Sequence, residues 1–232
     1  MVSIKNTREV TDNGQKFVVF GPPGSGKTRL CSTCPRPIII SAENGLLSLR
    51  DFEIPYVEVK TIAEFNEALA ALKQPDIWNE FDTICIDSVS ELAEIYLKDA
   101  KERSSGWTPY TDTSTVIIKM FRELLDLKGK HILMIFKEEA EVNPGVPTKY
   151  RASLPGKVLP TQIPFFPDEV FAMRTQWVQD QNGKPYITRF LQTINDGIYV
   201  CKDRSGALAP TEDPDISKII AKIKEGAYGK SS

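Results

Sequence analysis

The chain has 232 residues, 26% of them charged and 41% hydrophobic, with 29 lysines and arginines against 31 aspartates and glutamates. That length suits one well-buried α/β domain with little left for a second, and a net charge of −2 excludes a global basic field for nucleic acid, leaving only local patches. The sequence holds no apolar run of membrane-spanning length, no apolar signal core at its N-terminus and only four cysteines, so we expect a soluble protein of a reducing cytoplasm.

After an N-terminal extension over 1–15, the run Phe17-Val18-Val19-Phe20 predicts a buried strand over 16–20. Gly21-Pro22-Pro23-Gly24-Ser25-Gly26-Lys27-Thr28 comes next and fits the phosphate-loop pattern G-x-x-x-x-G-K-[ST] at every defined position. A helix is expected to begin in Thr28-Arg29-Leu30-Cys31, which completes the strand-loop-helix context the motif requires. Glycines let backbone N–H groups turn inward around phosphate oxygens, and a helix N-terminus adds a favourable field. Lys27 supplies a point charge near the β- and γ-phosphates and Thr28 a hydroxyl for Mg²⁺. The Cys31-x-x-Cys34 spacing could serve redox or zinc chemistry. It has no second pair, and the sole histidine, His131, is far off, so we read it as packing on a short helix.

Further strands are predicted at 37–41, 56–59, 83–86 and 132–136, with helices at 62–72, 89–100 and 114–127, where apolar residues recur at helical spacing. Continuous apolar strands separated by helices predict a mainly parallel sheet flanked by helices. Glu43, just past the strand Ile38-Ile39-Ile40, emerges at the sheet edge that carries the phosphate loop and is the candidate to position the attacking water. A solvated carboxylate in a first helical turn is the alternative. Asp87, ending Thr83-Ile84-Cys85-Ile86, can orient Mg²⁺ together with Thr28, although Asp87 or Ser88 could equally cap the next helix. Lys137 and Glu138, after the 132–136 strand, are candidate γ-phosphate sensors.

Residues 138–168 contain six prolines and are expected to form a long functional loop. Two strand-like runs, 169–179 and 186–194, flank the hairpin signal Asn182-Gly183. Lys202-Asp203-Arg204-Ser205-Gly206 heads a turn, either a plain charged turn or a pair of cations reaching a neighbouring subunit's triphosphate. A last helix is expected within 213–226, where Ile216, Ile219, Ile220 and Ile223 form one stripe.

The ordered set of the loop 21–28, Ser-Ala-Glu at 41–43, Ile-Asp-Ser at 86–88 and Lys-Asp-Arg-Ser-Gly at 202–206 resembles the RecA/RadA/DnaB class of P-loop ATPases. The layout is also similar to compact phage-encoded AAA-type nucleotide-binding proteins, some of them RecA-like single-strand annealing recombinases. The resemblance implies a single RecA-like ATPase domain over 1–232, extended by C-terminal antiparallel strands, with ATP and Mg²⁺ as cofactors. It implies that Glu43 is the catalytic carboxylate, that Lys27 acts beside it, and that Lys202 and Arg204 act in trans within a ring or filament of identical subunits. Where that class offers Gln, Asn or His after the third core strand, this chain has Lys137-Glu138.

In that class two loops bind single-stranded DNA, and their positional equivalents are 103–113, with Arg103, Trp107 and Tyr110, and 139–163, with Lys149, Tyr150, Arg151 and Lys157. Cations interleaved with aromatics suit phosphate contact and base stacking, whereas Glu138, Glu139 and Glu141 weaken the electrostatic case. The expected partners are therefore single-stranded DNA, further copies of the chain and a single-strand DNA-binding protein, with no membrane. The expected role is phage recombination by annealing or strand exchange. The alternatives are a nucleotide-regulated replication accessory or helicase-loading factor and, from another class, a small-molecule kinase.

Overall fold

The computed structural model describes residues 13–43 and 45–228, so the predicted N-terminal extension lies outside it except for residues 13–15. Ten strands form one sheet: β1 (Lys16–Gly21), β2 (Pro37–Ser41), β3 (Tyr56–Glu58), β4 (Thr83–Asp87), β5 (His131–Glu141), β6 (Lys149–Ala152), β7 (Glu169–Gln179), β8 (Pro185–Gln192), β9 (Lys202–Asp203) and β10 (Thr211–Glu212). Their order is β10-β8-β7-β1-β5-β4-β2-β3, with β6 on β5 and β9 on β7. From β7 to β3 the pairing is parallel, and β6, β8, β9 and β10 add antiparallel edges.

The apolar runs form strands because both their faces are buried. In β1, Val18 and Phe20 join a core with Ile84, Ile86, Met134 and Phe136, while Phe17 and Val19 join a second core with Ile39, Cys85, Leu133 and Ile135. The period of two sends alternate side chains to opposite faces, each large one contributing about 1.5–3 kcal/mol by burial. The first face is covered by α1 (Ile62–Leu72), α3 (Val89–Arg103) and α4 (Thr108–Leu125). The second is covered by the 3₁₀ helix Thr28–Thr33 and by α6 (Ile216–Tyr228), whose Ile216, Ile219, Ile220 and Ile223 are all buried. Two short helices, α2 (Pro75–Trp78) and α5 (Val158–Gln162), complete the set.

Helix starts obey local chemistry. Thr61 and Ser88 accept the N–H of Glu64 and Glu91, as N-caps three residues upstream should. Two expectations need correction. Residues 108–113 are the first turns of α4 and not a loop, because Pro109 sits in the opening turn, where its missing N–H costs nothing. Nor is 138–168 a long loop. β5 continues to Glu141 and turns back through β6, with Glu138 opposite Ala152 and Glu141 opposite Lys149, before α5 and a 3₁₀ turn at Ile163–Phe165. Its prolines punctuate these short elements: Pro144 and Pro147 lie in the turn, Pro155 comes after β6, and Pro160 falls within α5.

One buried carboxylate makes stability depend on pH. Glu169, the first residue of β7, is fully buried, and its Oε2 has no hydrogen-bond partner among the described residues. Burial, with Asp203 opposite it on β9, pushes its carboxyl from the usual 4.5 to about 8. Between those values the folded chain holds a proton that the unfolded chain releases. The contribution of this site is therefore complete below 4.5 and is lost as pH rises through 8. Glu169→Gln, permanently neutral at this buried position, is expected to gain about 1–3 kcal/mol in urea unfolding near pH 8. That gain should fade towards pH 5; an equal effect at both pH values would refute the assignment.

Candidate active site

β1, β5, β4 and β2 run in parallel and end at one edge of the sheet, where the phosphate loop leaves β1. The loop is tightly fitted. A Cβ on Gly21 would lie 2.7 Å from the Met173 carbonyl of β7. Gly26 has φ +100°, and a Cβ there would meet the Arg189 side chain at 3.2 Å. Pro22 accepts the Ser25 N–H, closing the turn through Pro23 and Gly24. The Ser25 hydroxyl is buried without a partner among the described residues.

Lys27 Nζ folds back on the loop and donates to the carbonyls of Gly21 (2.7 Å) and Pro22 (2.8 Å). Burial lowers its pKa, and the carboxylates of Asp87, Glu43 and Glu138 pull it back up. An ammonium satisfied only by carbonyls, beside an unpartnered hydroxyl, fits a loop made to receive an anion.

Thr28 Oγ1 donates to Asp87 Oδ2 at 2.7 Å, so the two residues proposed to hold Mg²⁺ are already in contact. Burial raises the Asp87 carboxyl to about 6; Glu43 pushes the same way, and the Thr28 hydroxyl and Lys27 oppose it. The helix-cap alternative resolves onto Ser88, whose oxygen accepts the Glu91 N–H and leaves Asp87 free for Thr28. Ser88 Oγ also donates to Glu43 Oε1. The Asp87 carbonyl accepts the N–H groups of Ala42 (2.8 Å) and Glu43 (3.3 Å), tying the turn after β2 to the end of β4. Glu43 is thus held at the cleft and does not open a helix; the next helical turn is a 3₁₀ segment at Leu46–Leu49. The Asp87 strand is not the immediate neighbour of the loop strand, since β5 lies between them.

The two sensor candidates separate. Lys137 Nζ is held by Glu91 (2.6 Å) and Glu94 (2.8 Å) of α3. Glu138 keeps one oxygen unpartnered among the described residues, with burial raising its pKa against the pull of Arg174 and Lys27.

These groups line a cleft of about 1500 Å³, ample for a nucleoside triphosphate. Its far wall is formed by Tyr186–Arg189 of β8 and by residues 213–215, none of them singled out from the sequence. The Asn182-Gly183 turn fixes the hairpin register and sets Arg189 opposite Thr175. Only the unforeseen pairing of β7 with β1 brings that residue to the loop.

Lys202 and Arg204 lie elsewhere. β9 pairs with Glu169 and Val170, which sit beside Phe17 and Val18 at the start of β1, about 13 Å of strand from Gly21. Lys202 donates to the carbonyls of Pro164, Phe165 and Pro167, and Arg204 to Phe165 and Asp168. The pair is anchored along its own chain and does not stand on a free tip.

The candidate DNA-contacting residues also have intramolecular partners. Tyr150 stacks on Tyr199 at 4.9 Å, and Arg151 is held between Glu139 and Glu141. Arg103 pairs with Asp99 and lies over Tyr96, and Lys101 sits over the Tyr110 ring. Trp107, 81% exposed, and the exposed Lys149 and Lys157 face solvent. Of the C-x-x-C pair, both cysteines are buried with Cys85 in the second core, and no metal-binding cluster occurs among the described residues.

A mostly parallel sheet sandwiched by helices, with a phosphate loop after its first strand and, two strands away, a strand-end aspartate in contact with the loop threonine, defines a P-loop NTPase. A family model described as an AAA domain matches residues 13–205, and the chain belongs to that AAA-domain family. No curated protein matches it. The protein is in general terms a P-loop ATPase that binds and hydrolyses nucleotide, a chemistry that ordinarily uses Mg²⁺. No helix among the described residues is long and apolar enough to cross a membrane.

Proposed function

We propose that this chain is a RecA-like ATPase acting on single-stranded DNA within an oligomer of identical subunits, in phage recombination by annealing or strand exchange. The observation that carries this reading is the division of the catalytic set between two sheet edges. Thr28, Asp87 and Glu43 gather at the phosphate loop, while Lys202 and Arg204 lie at the opposite edge, out of reach of their own loop. A head-to-tail interface brings one subunit's far edge to the next subunit's cleft.

In that arrangement Lys27 and the loop amides hold the phosphates, Glu43 orients and deprotonates water, and the neighbour's cations neutralise developing charge. Thr28 and Asp87 would hold Mg²⁺, which would supply charge neutralisation at the phosphates. DNA contact falls to the exposed Trp107, Lys149 and Lys157, with the other cations already in ion pairs. The same pairing argues against a kinase, because Arg151, the arginine of the proline-rich 138–168 segment, is held by Glu139 and Glu141 and is not free to act in a lid.

Fluorescence anisotropy with a labelled single-stranded oligonucleotide is the test. Binding is expected to strengthen with ATP and Mg²⁺ and to weaken as salt rises. Binding that ignores both nucleotide and salt would remove the DNA role and leave the nucleotide-regulated accessory factor as the better reading.

A further inference from the structure

The phosphate loop receives less help from its helix than the motif leads one to expect. The helix after it is a six-residue 3₁₀ segment, Thr28–Thr33, too short to align many peptide dipoles behind the phosphates. Lys137 is held between Glu91 and Glu94, and Lys202 and Arg204 lie at the far edge. Glu43, Asp87 and Glu138 meanwhile add negative charge on the β5–β4–β2 side. Within the chain, that leaves room for a further cation beside Lys27, and Arg29, which also lines the cleft, lies over the Phe52 ring.

Arg189 of β8 is placed to supply it. Its Nε donates to the Ser25 carbonyl at 3.0 Å, and its stem lies against Gly26 closely enough that a Cβ there would crowd it. The two terminal amino groups make no hydrogen bond or ion pair among the described residues, and the side chain lines the cleft. Sheet order sets it across the loop from the carboxylates, with β8 and β7 on one side of β1 and β5, β4 and β2 on the other. We propose that Arg189 is a second phosphate-binding cation of this site, closing on the α- and β-phosphates of bound nucleotide opposite Glu43 and Asp87. The α/β position is set by its anchor, since the backbone of this loop cradles those phosphates while Lys27 reaches the β- and γ-groups. A planar guanidinium pinned through Nε presents its two remaining amino groups as a fork that matches phosphate oxygens. This assignment rests on the reading of the cleft as a nucleotide site.

Calorimetric titration of the full chain with Mg-ADP and Mg-ATP tests it. Arg189→Gln keeps a donor for the Ser25 carbonyl but removes the charge, and is expected to weaken both nucleotides by about 10- to 100-fold. Its salt dependence should be shallower than the parent's, and Arg189→Lys should recover part of the loss. The melting temperature without nucleotide should not move, because the side chain is exposed and its one bond is to a loop carbonyl. Parent-like affinity in Arg189→Gln overturns the proposal. So does a loss confined to Mg-ATP, which would place the contact on the γ-phosphate, and so does a loss that only tracks a fall in unliganded stability. A parent protein that binds neither nucleotide overturns the phosphate-loop reading itself, an outcome visible before any variant is compared.

Discussion

Glu43→Gln is expected to lower ATP turnover by about 10²–10⁴-fold while nucleotide affinity stays within a few-fold of the parent. The amide is nearly isosteric and can still accept the Ser88 hydroxyl proton that holds Glu43 at the cleft, so the geometry survives and only the proton acceptor disappears. The backbone reason is equally local. The N–H groups of Ala42 and Glu43 are bonded to the Asp87 carbonyl, and this turn does not depend on the carboxylate. Steady-state phosphate release, with nucleotide binding measured separately, checks the prediction. If turnover is unchanged, Glu43 is not the base, and Glu138, the other glutamate lining the cleft, becomes the group to vary.

Ser88 shows why the position is controlled so closely. Its oxygen caps α3 by accepting the Glu91 N–H, and its proton goes to Glu43. One hydroxyl thereby links the start of a helix on the first core to the carboxylate expected to act on water. The identity of the strand end as Ile-Asp-Ser thus has separate uses for its last two residues. Asp87 contacts the loop threonine, and Ser88 holds the glutamate.

The parts of this arrangement that rest on short-range chemistry are legible in the sequence. The strands β1, β2 and β4 declare themselves as continuous apolar runs because both their faces are buried, and the loop motif dictates its own backbone. Glu43 and Asp87 can be placed because each stands at or just past the end of such a strand. The features that escape depend on pairing between distant segments. The 138–168 stretch reads as unstructured because its prolines are dense, yet the β5–β6 ladder needs only four residue pairs between them. The opening of α4 is hidden because residues 108–113 carry no apolar stripe, the buried residues there being only Pro109 and Thr113. Arg189 and Lys202 look alike as cations near turns. The neighbours of β7, β1 on one side and β8 and β9 on the other, decide that one reaches the loop and the other the far edge.

That far-edge position leads to the second large effect. Arg204→Ala is expected to lower ATP turnover by about 10³–10⁵-fold, the scale of an arginine that completes a phosphoryl-transfer site. Lost stability cannot account for a change of that size. Arg204 is half exposed and its ion pair with Asp168 is at the surface, worth about 0–1 kcal/mol, so the variant should fold and still bind nucleotide through its own loop. Its action in trans is tested by mixing two inactive proteins. Lys27→Ala lacks a working loop but keeps its cations, and Arg204→Ala keeps its loop. In a head-to-tail assembly of both, an Arg204→Ala loop meets a Lys27→Ala neighbour at roughly a quarter of the sites, and activity should reappear to about that extent. If the cations serve their own loop, no mixture of the two regains any turnover. The strand geometry argues against that outcome, because Lys202 and Arg204 lie level with the start of β1 and would have to span its length, about 13 Å, to reach their own loop.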